Sequence, residues 1–550
     1  MHINIHAIYP ATYLNMVSQL MKELKLPTLI DRLVPIDAQC QTRPSDIVQL
    51  IILDMLSGRQ ALVHLEAWAG QLDLEKLIRP QLAAHQLNDD AIGRHLDRLY
   101  EAGMQEVVSS FLLQTYQIEK LPLRLFHGDT TSKSVYGAYK SPSDALNITH
   151  GYSRDRVGAK QIQFGLIGNT DGIPLYADVH DGNTSDKEWN PDVLQKVHKQ
   201  LEKAELTGGF VYVADSAAMT QETLKQVKHA KVYLLTRAPN QLNIVKEALR
   251  LAEQPETNWS EPFQCTEKTG ATYRCFETTG HYYGHDLRLL VVESSALDKR
   301  KEHTIAKRVQ TEADKIAEMD KQYRKTPFHC EADAKQALLA CEKELAVRFH
   351  TLTATVTASE QPKKKRGRPK KDAPVEMERV YHITLQAAVD KEAVAQERRR
   401  AARFVLATTL PEQWLDRTMD GPELLALYKG QIHIEMNFAF LKDPYYTDEI
   451  YLKKPERVQV LGYLFLLALV IYRVFQRRIR QFITEAQPMK ISGRKLTKPT
   501  SQVIFQLFQY VQVVVFELPD GTKHRQFGKP LTYDQQRVLK GLGMDESIYL

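Results

Sequence analysis

LPLRLFHGDTTSKS, residues 121–134, changes the period of the chain and decides its fold. Apolar and polar positions alternate in LPLRLFHGD, which predicts a strand ending at Asp129. Downstream, KQIQFGLIGNT and GIPLYADVHDGN predict two more strands joined by a turn at Asp171-Gly172. PDVLQKVHKQLEKA is an amphipathic helix, and GGFVYVAD an apolar strand ending at Asp215. TQETLKQVKHA is a helix opened by a Thr-x-x-Thr cap, and KVYLLTR is a strand. Three strands, helix, strand, helix, strand is an α/β mixed sheet with crossover connections.

Upstream, residues 1–120 read as an all-α unit. In PSDIVQLIILDMLSG, Ser45 is a plausible N-cap and Gly58 a plausible stop. Residues 121–239 form the first part of the core. Residues 240–403 break its rhythm with a β-rich stretch, FQCTEKTGATYRCFETTGHYYGHDLRLLVVES, then charged helices at 302–324 and 331–347, then a basic linker at 361–373. RFVLATT, 403–409, is a strand again. Residues 404–480 complete the core, with helices at 422–442 and 458–475, and 481–550 are a basic, helical C-terminal region. The chain has 550 residues, enough for several domains. Five Cys exclude a disulfide framework. The start carries no signal-peptide pattern. The longest apolar run, Val460 to Tyr472, falls short of the ~20 residues of a membrane span, so no membrane is expected as a partner.

The net charge of +6 excludes no partner, but it is unevenly placed. Residues 451–550 carry 16 Lys/Arg and 7 Asp/Glu, and KKKRGRPKK, Lys363 to Lys371, has seven positive charges in nine residues. Such clusters attract polyanions by releasing condensed counterions.

Asp129 and Asp215 each close an apolar strand of one sheet, and strand ends of such sheets are where sites form. Two carboxylates held together repel, and a divalent cation is the usual remedy. Mg²⁺ suits a few carboxylates with water and substrate phosphate. The plainer alternative for each Asp is a turn-former or cap. On the helix 422–442, Tyr428, Gln431, Glu435 and Lys442 fall along one face at helical spacing, a polar stripe in an otherwise apolar helix.

With these residues in order, the sequence resembles the insertion-sequence transposases of the DDE class. In particular it looks like the insertion-sequence-four branch with the helix signature Y-x2-R-x3-E-x6-K. FHGDTTSKSVYG matches the first Asp motif and YVADSAAMTQETL the second, which is followed after one helix by a strand ending in Arg237. Tyr428, Gln431, Glu435 and Lys442 fill the helix signature, and 240–403 fits the branch's β-rich insertion. The resemblance implies an RNase H-like core whose Asp129, Asp215 and Glu435 hold two Mg²⁺ ions (Mn²⁺ as substitute), with Asp129 bridging. It implies metal-dependent cleavage at the ends of a mobile element and transfer of the freed 3′-OH into target DNA. Double-stranded DNA, as terminal inverted repeats and target, would be the partner of a homodimer assembled on the ends, in the bacterial cytoplasm at the nucleoid. Tyr428, Gln431, Lys442 and Arg237 would contact DNA. One departure stands out: Gln431 replaces the branch's Arg, and an amide has no charged fork for phosphate.

Arg366-Gly367-Arg368-Pro369 resembles the AT-hook, which lies in the narrow minor groove of A·T-rich DNA. A solvated basic linker is the alternative. Members of the branch stack an aromatic on a flipped base; Trp414 is the better candidate and Trp259 the second, with a structural Trp the plainer reading. Cys265, Cys275, His281 and His285 match zinc spacings poorly. Cys330 and Cys341 read as core. GNTSD, 182–186, reads as a loop without a catalytic role. Two other functions stay open: a catalytically inactive DNA-binding descendant, and an RNase H-like nuclease that only hydrolyses.

Overall fold

The computed structural model describes residues 4–36, 38–139, 145–151, 158–206, 209–265, 270–363, 375–491, 493–518 and 521–550. The chain forms two compact bodies: Met1–Arg237 with His281–Leu287 and Ala407–Leu550, and Ala238–Gly280 with Arg288–Leu406.

The first body is built on five strands, β1 (Leu125–Ser134), β2 (Lys160–Gly168), β3 (Pro174–His180), β4 (Val211–Ala214) and β5 (Tyr233–Ala238). They lie in the order β3-β2-β1-β4-β5. β1, β2 and β3 pair antiparallel, whereas β4 and β5 join β1 in parallel. This is an RNase H-like mixed sheet. The β2–β3 turn falls where Asp171-Gly172 predicts it: Gly172 has φ +78°, and the Asn169 side chain accepts from the amides of Asp171 (3.0 Å) and Ile173 (2.9 Å). β1 does not end at Asp129. Its ladder with β2 continues from Asp129↔Leu166 to Ser134↔Gln161, because β2 is long enough to pair the polar TTSKS as well.

The parallel connections are helices α1 (Asp186–Lys203), capped by Ser185, and α2 (Gln221–His229), capped by Thr220. Two helices, α3 (Gly421–Lys429) and α4 (Ile432–Lys442), stand where the sequence predicts one, and the 28-residue helix α5 (Pro455–Phe482) follows. By length and composition α5 could span a bilayer, yet 94% of its most apolar window is buried within the protein. The helices Leu14–Glu23, Pro44–Leu56, Asp89–Glu101 and Met104–Ile118 pack against α5, so the N-terminal region shares the core of the sheet's body. Gly462 lets α5 approach β3: a Cβ there would stand 3.0 Å from Val179.

Three local expectations change. Arg43, not Ser45, is the N-cap of Pro44–Leu56, since Pro44 already occupies the first turn and Asp46 reaches back to the Arg43 amide (2.8 Å). The N-terminal unit is not all-α, and the C-terminal region is not simply helical. Strand Val513–Glu517 pairs with Asn4–Tyr9 on one edge and Lys523–Phe527 on the other.

Part of the basic C-terminal block is engaged within the protein, while Lys490, Arg494, Lys495, Lys498, Lys529 and Lys540 are exposed. Arg457 pairs with Asp97 (2.7 Å), Arg477 with Asp171 (3.1 Å) and Glu119 (3.4 Å), Arg478 with Glu119 (2.7 Å) and Glu23, and Arg525 with Asp73 (2.7 Å). These arginines neutralise acids of the N-terminal half before any phosphate arrives.

In the second body, helices Lys299–Lys325 and Glu331–Leu345 cover a ribbon of two 13-residue strands, His350–Pro362 and Met377–Val389. Ile316, Cys341, Leu345, Ile383 and Leu385 form its core, while Cys330 is exposed rather than buried. Of the basic segment 361–373, Gln361 and Pro362 belong to a strand, where Pro362 pairs with Met377, and residues 364–373 lie outside the described residues.

Candidate active site

Ala214 of β4 pairs with Gly128 of β1 on one side and Thr236 of β5 on the other. Asp129, Asp215 and Arg237 each follow that row by one residue. Asp129 and Arg237 therefore lie on β1 and β5, on either side of Asp215 at the end of β4, with neighbouring strands spaced ~4.8 Å apart. Asp215 also caps the short turn Ser216–Ala218, accepting from the Ala217 amide (2.9 Å), and its carbonyl accepts from Thr236 Oγ1 (2.5 Å). The capping alternative and the row position thus hold together for this residue.

The Asp129 carboxyl is pushed up to about 7. Burial is the main cause, and the charges of Asp215, Asp186 and Glu435 add to it, against a bond from the Thr130 amide (2.8 Å). The chain thus concentrates negative charge around Asp129.

The helix that brings Glu435 is broken. Gly430 and Gln431 lie between α3 and α4, where Gln431 N bonds Tyr428 O (3.4 Å) and Ile434 N bonds Gln431 O (3.0 Å), a tightened 3₁₀-type turn. The uniform stripe expected over 422–442 is therefore interrupted between Tyr428 and Glu435. His127, two residues before Asp129 and on the same face of β1, is the partner of the break: its Nε2 lies 2.9 Å from Leu427 O. Burial pushes the His127 imidazole down to about 4, so it is neutral and Nε2 carries the proton. Gly430 fits against this ring, where a Cβ would stand 3.1 Å from it.

Tyr428 faces the row. Burial raises its pKa, Arg237 opposes that shift, and the charges of Asp215 and Asp129 add to it. Gln431 is partly buried at the break itself. His433, which could have replaced the missing Arg, is turned toward Arg473, Asp171 and Arg480 and has its pKa lowered by burial. Asn437, two residues beyond Glu435, accepts from Arg473 Nε (2.6 Å) and donates to Gly172 O (2.9 Å), which ties α4 to α5 and to the β2–β3 turn.

Lys442 is exposed at the end of α4, where it acts on the charge of Lys133. Lys133 Nζ donates to Leu441 O (3.1 Å) and Thr447 Oγ1 (2.9 Å), closing the C-terminus of the Glu435 helix onto the strand of Asp129. Burial pushes its ammonium down to about 8. Lys133→Met, which keeps the stem and removes the donors, is expected to cost about 1–3 kcal/mol. A lowered urea midpoint with unchanged slope would register it.

Among the described residues, no three His, Cys, Asp or Glu side chains are gathered closely enough to hold one metal as they stand. The donor chemistry nevertheless fits a divalent cation. Asp129, Asp215 and Glu435 offer hard carboxylate oxygens, and the charges of Asp215 and Glu435 add to the burial that raises the Asp129 pKa, an excess of negative charge that a cation would offset.

The other expected residues lie elsewhere. Trp414 sits in a small hairpin with Arg417 and lines a cavity of about 260 Å³ with Pro122, Arg124 and Leu125, at the start of β1 rather than beside Asp129. Trp259 is flanked by the guanidiniums of Arg274 (4.6 Å) and Arg403 (5.2 Å), a packing role. Arg366 and Arg368 lie outside the described residues. Sequence reasoning passed over two residues near the row. His127 gave no signal, because its partner is 300 positions away. Asp186 was read only as the end of the loop GNTSD, whereas it opens the helix Asp186–Lys203.

A family model described as a transposase DDE domain matches residues 148–471, more than half of the chain. The span holds Asp215, Tyr428 and Glu435 and begins after Asp129. A domain of unknown function (DUF4277) matches residues 5–113. No curated protein matches. Among solved structures, a piggyBac transposase synaptic complex with hairpin DNA is similar at 6% identity and TM-score 0.39, covering 90% of this chain and 78% of that one. A Mos1 transposase paired-end complex with left transposon end is similar at 12% identity and TM-score 0.16, covering 36% and 61%.

Proposed function

This chain belongs to the transposase DDE domain family, and from that premise we propose that it cuts the ends of an insertion sequence and joins them to target DNA by cut-and-paste. The observation that carries the reading is the row Asp129, Asp215, Arg237 on adjacent strands, with Tyr428 and Glu435 brought to it.

Transposases of this class use divalent metal ions. Here Asp129, Asp215 and Glu435 would hold Mg²⁺, or Mn²⁺ in its place, as two ions. Such ions supply activation of the attacking oxygen and stabilisation of the leaving 3′-oxygen. Arg237 and Tyr428 would hold the scissile phosphate beside the carboxylates. Water cleaves the phosphodiester at the element's end and leaves a 3′-OH. That hydroxyl then attacks a target phosphodiester, forming one P–O bond as another breaks and its 3′-oxygen departs. Gln431 gives an uncharged contact where the Y-R-E-K branch has Arg, so phosphate binding would lean on Arg237 and Lys442.

The partner DNA would be the terminal inverted repeats and the target, held by a homodimer. Residues 1–120 would bind ends or pair subunits. Arg366 and Arg368, in the connection of the two-stranded ribbon, would read A·T-rich minor groove, and Trp414 would stack on a base only if the DNA reached the start of β1. Five cysteines without a disulfide support work in a reducing compartment, the bacterial cytoplasm at the nucleoid.

The test is purified protein with Mg²⁺ and a duplex carrying the inverted repeats that flank its gene. We expect new 3′-OH ends, their joining to a second duplex, and loss of both with EDTA. Cleavage without joining would mark a hydrolytic nuclease, and binding without either would mark an inactive descendant.

A further inference from the structure

Asp186 is a fourth carboxylate at this centre, and the reading above gives it no part. Ser185 caps α1 and Glu188 completes the capping box, so the helix start does not require Asp186. Its carboxylate instead accepts a hydrogen bond from Thr130 Oγ1, on the residue after Asp129. One turn on, Asn190 donates to Asp186 O (2.7 Å) and accepts from Tyr212 Oη (2.6 Å). Tyr212 is fully buried over Gly128, where a Cβ would stand only 2.3 Å from that hydroxyl. α1, β1 and β4 are thereby pinned together at the level of Asp129 and Asp215.

Successive residues of a strand face opposite sides of the sheet. Thr130 thus meets α1 on one face, while His127 meets the α3–α4 break on the other. Asp186 approaches Asp129 from one side and Glu435 from the other. Tyr212 is influenced by Asp129, Asp215 and Asp186 together.

We infer that Asp186 is a positioning carboxylate of the catalytic centre, orienting the Asp129 strand through Thr130 and adding its charge to the hold on divalent cations. The inference rests on the metal-dependent reading above. It explains why a first-turn acid of an already capped helix is tied to the Asp129 strand instead of to solvent.

The probe is Mn²⁺ alone, titrated into the full chain without DNA and followed by electron paramagnetic resonance. Asp186→Asn keeps an acceptor for Thr130 and removes the charge. It is expected to raise the Mn²⁺ half-saturation about tenfold or more, the range seen when partners behind metal ligands are lost. Asp129→Ala is the control for the underlying reading. If Asp129→Ala loses Mn²⁺ and Asp186→Asn binds it as wild type does, the role of Asp186 is overturned alone. If Asp129→Ala also binds as wild type does, the metal reading itself falls. A second measurement needs no variant: wild-type chain loaded with Fe²⁺ and treated with ascorbate and peroxide is expected to be cut near 129, 215 and 186. Cuts near 129 and 215 with none near 186 would overturn the proposal.

Discussion

Asp129→Ala is expected to lower end cleavage and strand transfer together by at least ~10³-fold, with the fold intact, since removing a ligand of catalytic metal withdraws several kcal/mol of transition-state stabilisation. Asp129 is the carboxylate that all the others surround, and its pKa of about 7 makes the expectation sharper than a loss of activity. Metal must displace a proton there, so the Mg²⁺ half-saturation should rise about tenfold for each pH unit below 7. The stability sign follows. The folded carboxyl is raised above its ordinary value of 3.8, so between about 4 and 7 the native state binds the proton more tightly than the unfolded chain. Metal-free protein should therefore lose stability as pH rises through that window, and Mg²⁺ should restore it. Asp129→Asn should melt above wild type in EDTA at pH 8 and gain nothing from Mg²⁺. A metal-free melting profile flat from pH 4 to 8 would contradict the raised pKa.

Arg59→Ala is expected to cost about 3–5 kcal/mol, the usual result of leaving a buried charge without its partner. The side chains of Asp54 and Arg59 are 0% and 7% exposed and meet at 2.6 Å. Burial raises the Asp54 pKa, and the Arg59 charge and the Gln60 amide (2.8 Å) oppose it. Arg59 N also bonds Tyr445 O (3.1 Å), so the pair joins the N-terminal helices to the segment that leaves the Glu435 helix. Domains carry only ~5–15 kcal/mol in total, so the variant should sit near its folding threshold at 37 °C. Adding Asp54→Asn should recover much of the loss, because a neutral amide needs no counter-charge. Urea unfolding of the four proteins of this cycle measures the coupling, and strictly additive losses would refute it.

The strands of the core were legible because alternation and apolar runs are local. The same holds for the Thr220 cap and for the turn at Asp171-Gly172. Asp129, Asp215 and Glu435 were legible as an ordered set, but that Asp129 and Asp215 close adjacent strands depends on register, on Ala214 facing Gly128, which no local pattern states. The break between α3 and α4 was hidden because apolar residues continue through Gly430, and the group that matches the break is His127. The pairing of part of the C-terminal charge was hidden for a similar reason. Counting Lys and Arg along the chain cannot reveal that Asp97, Glu119 and Asp73 already face them.

The pairing of Asn4–Tyr9 with Val513–Glu517 has a consequence in time. A ribosome adding ~5–20 residues per second needs roughly 25–100 s between making the first strand and making its partner. Throughout that interval the early strand has an open edge, a template for mispairing with other chains. A chain interrupted before Val513 can complete the sheet's carboxylates yet cannot close this seam. The seam is therefore closed only by residues translated long after the strands that carry Asp129 and Asp215.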